Sequence, residues 1–191
     1  MRILALGLAA LAGLVLSGCG YNKMQLQDEQ IKAAWAEVLN QYQRRSDLIP
    51  NLVSTVKGEA NFEQTTLTNV IDARAKATSI QVDPSNLTPD KIQQFQQAQG
   101  QLSTALGRLL AVSENYPNLQ TNQAFQGLQA QLEGTENRIK VARNDFNGAV
   151  ADYNVKVRSF PMNILSGMFG FRPKEGFTAD PGSDKVPQVK F

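Results

Sequence analysis

Arg44-Arg45-Ser46-Asp47-Leu48-Ile49-Pro50-Asn51-Leu52-Val53 sets two cations, an aspartate and a proline between two apolar runs. Two arginines suit the negative end of a helix dipole, and aspartate is a capping residue. Proline is tolerated in a first helical turn, where its missing N–H has no intrahelical partner. This order predicts a helix stop fused to a helix start, a reversal at Asp47–Asn51. The alternative is one long helix kinked at Pro50. A straight passage would carry Phe160 to the other end of the molecule, so the two readings differ in topology.

Upstream, Ile31, Ala34, Trp35, Val38 and Tyr42 recur at three- and four-residue steps, one face of a helix. Downstream, Leu52, Val53, Val56, Ala60, Leu67, Val70, Ile71 and Ala77 make a second face that dissolves at Thr78-Ser79. Asp83-Pro84 breaks any helix between Ser79 and Leu87. Thr88-Pro89-Asp90 then reads as cap, first helical position and early acid. A third helix carries Ile92, Phe95, Leu102, Ala105, Leu106, Leu109 and Val112, and Tyr116-Pro117 ends it. In the fourth, Phe125, Leu132, Ile139, Phe146 and Tyr153 stand seven apart, with Leu128, Thr135, Ala142 and Ala149 between them, until Phe160-Pro161 closes it. Nothing alternates as a strand would. The expectation is an all-α antiparallel four-helix bundle with long helices over residues 28–160, the alternative being three long helices with a kink at Pro50. In up-down order the turns at Asp47–Asn51 and Tyr116–Thr121 share one end. The N-terminal segment, the Ser79–Leu87 loop and Phe160 share the other.

The chain has 191 residues, a net charge of +2 and no histidine. One domain suffices for that length. Without histidine there is no Ser-His-Asp or Cys-His catalysis and no Glu-x-x-His di-metal centre. No basic patch with interleaved aromatics points to nucleic acid. No catalytic residues, metal ligands or cofactor are expected.

Met1-Arg2, an apolar run from Ile3 to Leu16 and Ser17-Gly18-Cys19-Gly20 have the form of a secretory signal. Leu16-Ser17-Gly18-Cys19 resembles the lipobox of bacterial lipoproteins. That resemblance implies a signal peptide over residues 1–18, diacylation of Cys19, acylation of the new N-terminus and a lipidated tether over 19–27. An uncleaved membrane span is the alternative, and the run falls short of the roughly 20 apolar residues a span needs. The lone cysteine, which can form no internal disulfide, fits lipidation. The expected location is the bacterial cell membrane, facing the periplasm. Gly20, where inner-membrane lipoproteins commonly hold aspartate, leans towards the outer membrane.

The chain resembles the LemA family of bacterial membrane-associated helical proteins. The resemblance runs to about Phe177 and is carried by Ala34-Trp35, the stretch from Arg44 to Val53, Val56-Lys57-Gly58, Ala73-Arg74, Ser113-Glu114-Asn115-Tyr116-Pro117-Asn118-Leu119, Thr135-Glu136-Asn137-Arg138-Ile139, Ala142-Arg143, Tyr153-Asn154, Phe160-Pro161 and Phe169-Gly170-Phe171. It implies a helical bundle and envelope association, with no established enzymatic activity or cofactor. Many members carry tyrosine and histidine after Val-Lys-Gly, where this chain has Glu59 and Phe62, and members often hold a transmembrane helix where this chain carries a lipobox.

Arg44, Arg45, Asp47, Asn51, Glu114, Asn115 and Tyr116 are expected to gather at the membrane-distal end, as a binding cluster or as caps for exposed helix termini. Glu136 and Arg143, with Asp152 and the other polar groups of the fourth helix, read as surface ion pairs. Residues 161–171 form an apolar membrane-proximal segment, which either covers the bundle end or rests on the bilayer. Residues 172–191, rich in Pro, Gly and charge, read as a disordered tail. Its Val189 and Phe191, with a terminal carboxylate, suit strand addition to a PDZ-bearing envelope partner, or pack on the bundle. The expected function is a non-enzymatic, lipid-anchored adaptor or scaffold of the bacterial cell envelope. The alternative is a ligand-binding or catalytic protein using the distal Arg/Asp/Asn cluster.

Overall fold

A computed structural model describes residues 2–178, with side chains from Gly20 onward except Leu165. The side chain of Cys19 and the docking residues Val189 and Phe191 lie outside the described residues. Every regular element among them is helical: α1 Arg2–Lys57, α2 Gln64–Ser79, a 3₁₀ turn Pro84–Asn86, α3 Pro89–Ser113, α4 Pro117–Gln120, α5 Gln123–Arg158 and α6 Met162–Met168.

The expected reversal at Asp47–Asn51 does not occur, because α1 passes through Pro50 as one helix of 56 residues. Proline at that position removes the N–H that would bond the carbonyl of Ser46 four residues earlier. Arg74 of α2 replaces it, donating from Nε to the Ser46 oxygen at 2.9 Å. The orphaned carbonyl is therefore satisfied by a neighbouring helix, and the chain has no need to turn. The reversal comes instead at 58–63, where Asn61 adopts a left-handed φ of 64°, a conformation asparagine tolerates better than most residues.

Moving one reversal downstream leaves the number of passes unchanged, so Phe160 stays at the end where Gly20 enters. Gly20 backs onto Met162, and Tyr21 packs on Phe169 and Phe171 at 5.2 and 5.6 Å. What changes is length. At 1.5 Å per residue, α2 reaches only about 24 Å, less than half the span of α5. Its exit loop, expected at the membrane-proximal end, therefore lies partway along the bundle, where the Val82 carbonyl accepts from Trp35 Nε1 at 3.2 Å. The tether expected over 19–27 is packed helix from Gly20 on, with Met24 and Gln27 buried.

The seam of α5 is buried as its spacing predicts: Phe125, Leu132, Ile139, Phe146 and Tyr153 all face inward. The interior falls into two apolar clusters. An upper one gathers Ile49, Leu52, Val56, Leu67, Val70, Leu102, Leu109 and Phe125. A lower one gathers Met24, Ile31, Trp35, Tyr42, Phe95, Phe146, Tyr153 and Phe177. Arg45, Ser46, Gln99 and Thr135 are buried between them.

Candidate functional site

Arg45 is the centre of this polar layer and is 2% exposed. One guanidinium nitrogen donates to Ser103 Oγ at 2.8 Å and to Glu136 Oε2 at 3.0 Å. The other donates to the Gln99 side-chain oxygen at 2.7 Å and to the Gln99 carbonyl at 3.2 Å. The guanidinium also lies 5.0 Å over the Tyr42 ring. Gln99 in turn donates to the Ala77 carbonyl in the last turn of α2, at 3.4 Å. One side chain thus ties α1 to α3 and α5, and through Gln99 to α2. A guanidinium keeps its proton in proteins, so Arg45 acts by position and charge and not by proton transfer.

Beside the layer opens a groove of about 880 Å³ lined by Arg45, Thr66, Gln96, Arg108, Glu136 and Arg143 among others. Arg45 Nε and Thr66 Oγ1 are buried on its wall without a hydrogen-bond partner. Among the described residues, no three His, Cys, Asp or Glu side chains converge to hold a metal ion.

The distal polar cluster is not assembled. Arg44, Asp47 and Asn51 point outward from the last quarter of α1, and Asp47 accepts from Gln43 at 2.7 Å. Arg45 faces the core, about 18 Å short of Lys57 along the helix. Glu114 and Asn115 are exposed at the far end, where Tyr116 donates to the Asn61 carbonyl at 3.0 Å and packs on Phe62 at 4.9 Å. The continuous α1 separates the two halves of the expected cluster. Glu136, read as half of a surface pair with Arg143, is the partner of Arg45 instead.

A second polar device was not anticipated. Residues 172–178, expected to be disordered, form an extended strap along α5. Asn154 accepts from the Lys174 amide at 2.8 Å and donates to its carbonyl at 2.7 Å. Asn147, two turns earlier on α5, holds the amide and carbonyl of Phe177 in the same way, at 2.8 and 3.2 Å. Phe177 stacks on Trp35 at 5.5 Å and meets Phe146 edge-on, while Arg143 covers its face at 4.8 Å. Lys174 pairs with Asp28 of α1 at 2.5 Å. Burial raises the Asp28 pKa, but hydrogen bonds and charge from Lys174 and Lys32 outweigh it and hold the carboxyl below its ordinary value. A Cβ at Gly176 would collide with the Asn147 amide oxygen and force it to shift, so glycine suits the position. The one signal in the sequence was the pair Asn147 and Asn154 at the seam's own spacing.

The sequence model of the LemA family matches residues 34–191. The chain is 28% identical to magnetosome protein MamQ 1 of Paramagnetospirillum magneticum over 83% of its own length and 64% of the relative's. It is 28% identical to magnetosome protein MamQ of Magnetospirillum gryphiswaldense over 85% of its length and 66% of that protein's. It is 21% identical to protein LemA of Metamycoplasma hominis over 76% of its length and 63% of the other's. The chain therefore spans just under two thirds of the curated relatives it matches.

Proposed function

The chain belongs to the LemA family, and from that premise we propose that it is a non-enzymatic helical scaffold of the bacterial envelope, attached to the membrane through a lipid on Cys19 and facing the periplasm. The observation that carries this reading is the unbroken α1. From Gly20 it runs without a break into the core, where Met24, Ile31 and Trp35 are buried. An anchor at residue 19 therefore holds the bundle close to the bilayer with no slack between them. The commitment of Arg45 to structural partners supports the non-catalytic part. The exposed, amide-rich flanks of α3 and α5 then serve as the faces offered to an envelope protein partner. Intact mass of the membrane-extracted protein tests the anchor. The expected species begins at Cys19 and carries acyl chains; a mature chain retaining Met1, or a Cys19→Ser protein still held in the membrane as an uncleaved span, refutes it.

A further inference from the structure

We infer that α6 and the residues flanking it form a second membrane contact, an apolar foot that rests on an anionic lipid surface and holds the bundle upright beside its anchor. The inference rests on the reading that the chain is attached near residue 19. Phe160, Ile164, Met168 and Phe169 are 80%, 62%, 78% and 47% exposed, and they crowd one end of the molecule. They stand apart from the segment's other half: Met162 and Phe171 pack onto the lower core, and Ser166 is buried. The segment is thus fixed to the bundle by one side and presents apolar side chains on the other. An amphipathic element of this kind lies in the plane of a membrane interface with its apolar face sunk among the acyl chains.

Two observations choose lipid as the occupant. The patch is continuous with the anchor, since Tyr21 of α1 packs on Phe169 and Gly20 backs onto Met162. The charge nearest the patch is also predominantly positive, the nearest acids being Asp28, Asp152 and Glu175. From Tyr153 to Pro173 the chain carries Lys156, Arg158 and Arg172 and no acid, and from Gly20 to Gln27 it carries Lys23 and no acid. All four cations are exposed. A basic rim around an apolar face complements anionic headgroups, each cation near the surface adding attraction.

The test uses the full lipidated chain in vesicles of phosphatidylcholine and phosphatidylglycerol, with acyl chains plain or brominated. Met168→Trp places a reporter at the foot and Val141→Trp places one at an exposed site in the middle of α5. Trp35 is buried and supplies a constant background. Expected is loss of most of the added emission from the Met168→Trp protein in brominated vesicles, and none from the Val141→Trp protein. Ile164→Asp in the Met168→Trp background should restore the emission while the protein still sediments with the vesicles. Equal emission in plain and brominated lipid from a protein that sediments overturns the foot and leaves the anchor standing. Failure to sediment, with no quenching, overturns both.

Discussion

Pro50 and Arg74 form a pair that no local pattern joins. The proline leaves the Ser46 carbonyl without its intrahelical donor, and the arginine supplies one from 28 residues away. Arg74→Ala should therefore cost about 1 to 3 kcal/mol in urea unfolding, the penalty for a polar group left without a partner. Pro50→Ala returns the amide to α1 and should stabilise by up to about 3 kcal/mol. In that background the Arg74→Ala cost should fall by at least half, and equal costs in both backgrounds would sink the pairing. Arg45 is the second residue whose worth lies in its contacts. Arg45→Ala strips donors from Gln99, Ser103 and Glu136 and opens a hole, so a loss of about 2 to 5 kcal/mol is expected. Arg45→Met restores much of the volume but leaves the buried Gln99 side-chain oxygen without its donor, so it should recover the cavity part of the loss and still cost about 1 to 3 kcal/mol. A Met variant as unstable as the Ala variant would show that the hydrogen bonds outweigh the volume.

Among the elements, the strap does what a missing helix pair would otherwise do. The α2–α3 hairpin covers the upper cluster and reaches down only as far as Trp35, which leaves the lower half of α1 and α5 to be closed by Phe177 and α6. Asn147→Ala with Asn154→Ala should free the strap and expose Trp35, which is 0% exposed in the intact fold. A red shift of tryptophan emission and faster acrylamide quenching are the readouts, and Gly176→Ala should produce a milder form of both. The Asp28–Lys174 pair gives the strap a pH dependence. Because the folded Asp28 pKa is depressed, its contribution is fully present above the ordinary value of 3.8 and is lost as pH falls through the lower folded value. Trp35 emission should hold steady at neutral pH and shift in acid, and Asp28→Asn should remove that step. Composition hid the strap, because a segment rich in Pro, Gly and charge lacks the apolar density to order itself. It is ordered by two asparagines and an aromatic pocket on other elements. The helices were legible where periodicity was strong, as in the seam of α5 and at Thr88-Pro89, and illegible where the deciding partner was distant, as at Pro50. The same distance effect split the expected site: Arg45 was singled out, but its partners Gln99, Ser103 and Glu136 lie on helices whose register no spacing rule supplies.

For the whole molecule, the question is whether two apolar clusters parted by a polar layer make two folding units or one. The upper and lower halves share α1 and α5, which run through both. Melting the lower half alone would strip the apolar face from α5 residues Phe146, Val150 and Tyr153 and from α1 residues Met24, Ile31 and Trp35. It would also withdraw Tyr42 from the Arg45 guanidinium. Melting the upper half alone would leave Arg45 buried on one side and without Ser103 on the other. Either half-state breaks hydrogen bonds of the layer and opens to water the apolar faces of helices that continue into the other half, so neither half melts without cost to its neighbour. Cooperative unfolding is therefore expected. Trp35, the sole tryptophan, reports the lower half, and far-UV circular dichroism reports helix throughout the chain. In urea the two traces should share one midpoint and one slope, and Arg45→Ala should move both together to the same lower midpoint. Should Trp35 emission change well before the helical signal, the halves would be independent units and the layer no more than a boundary between them.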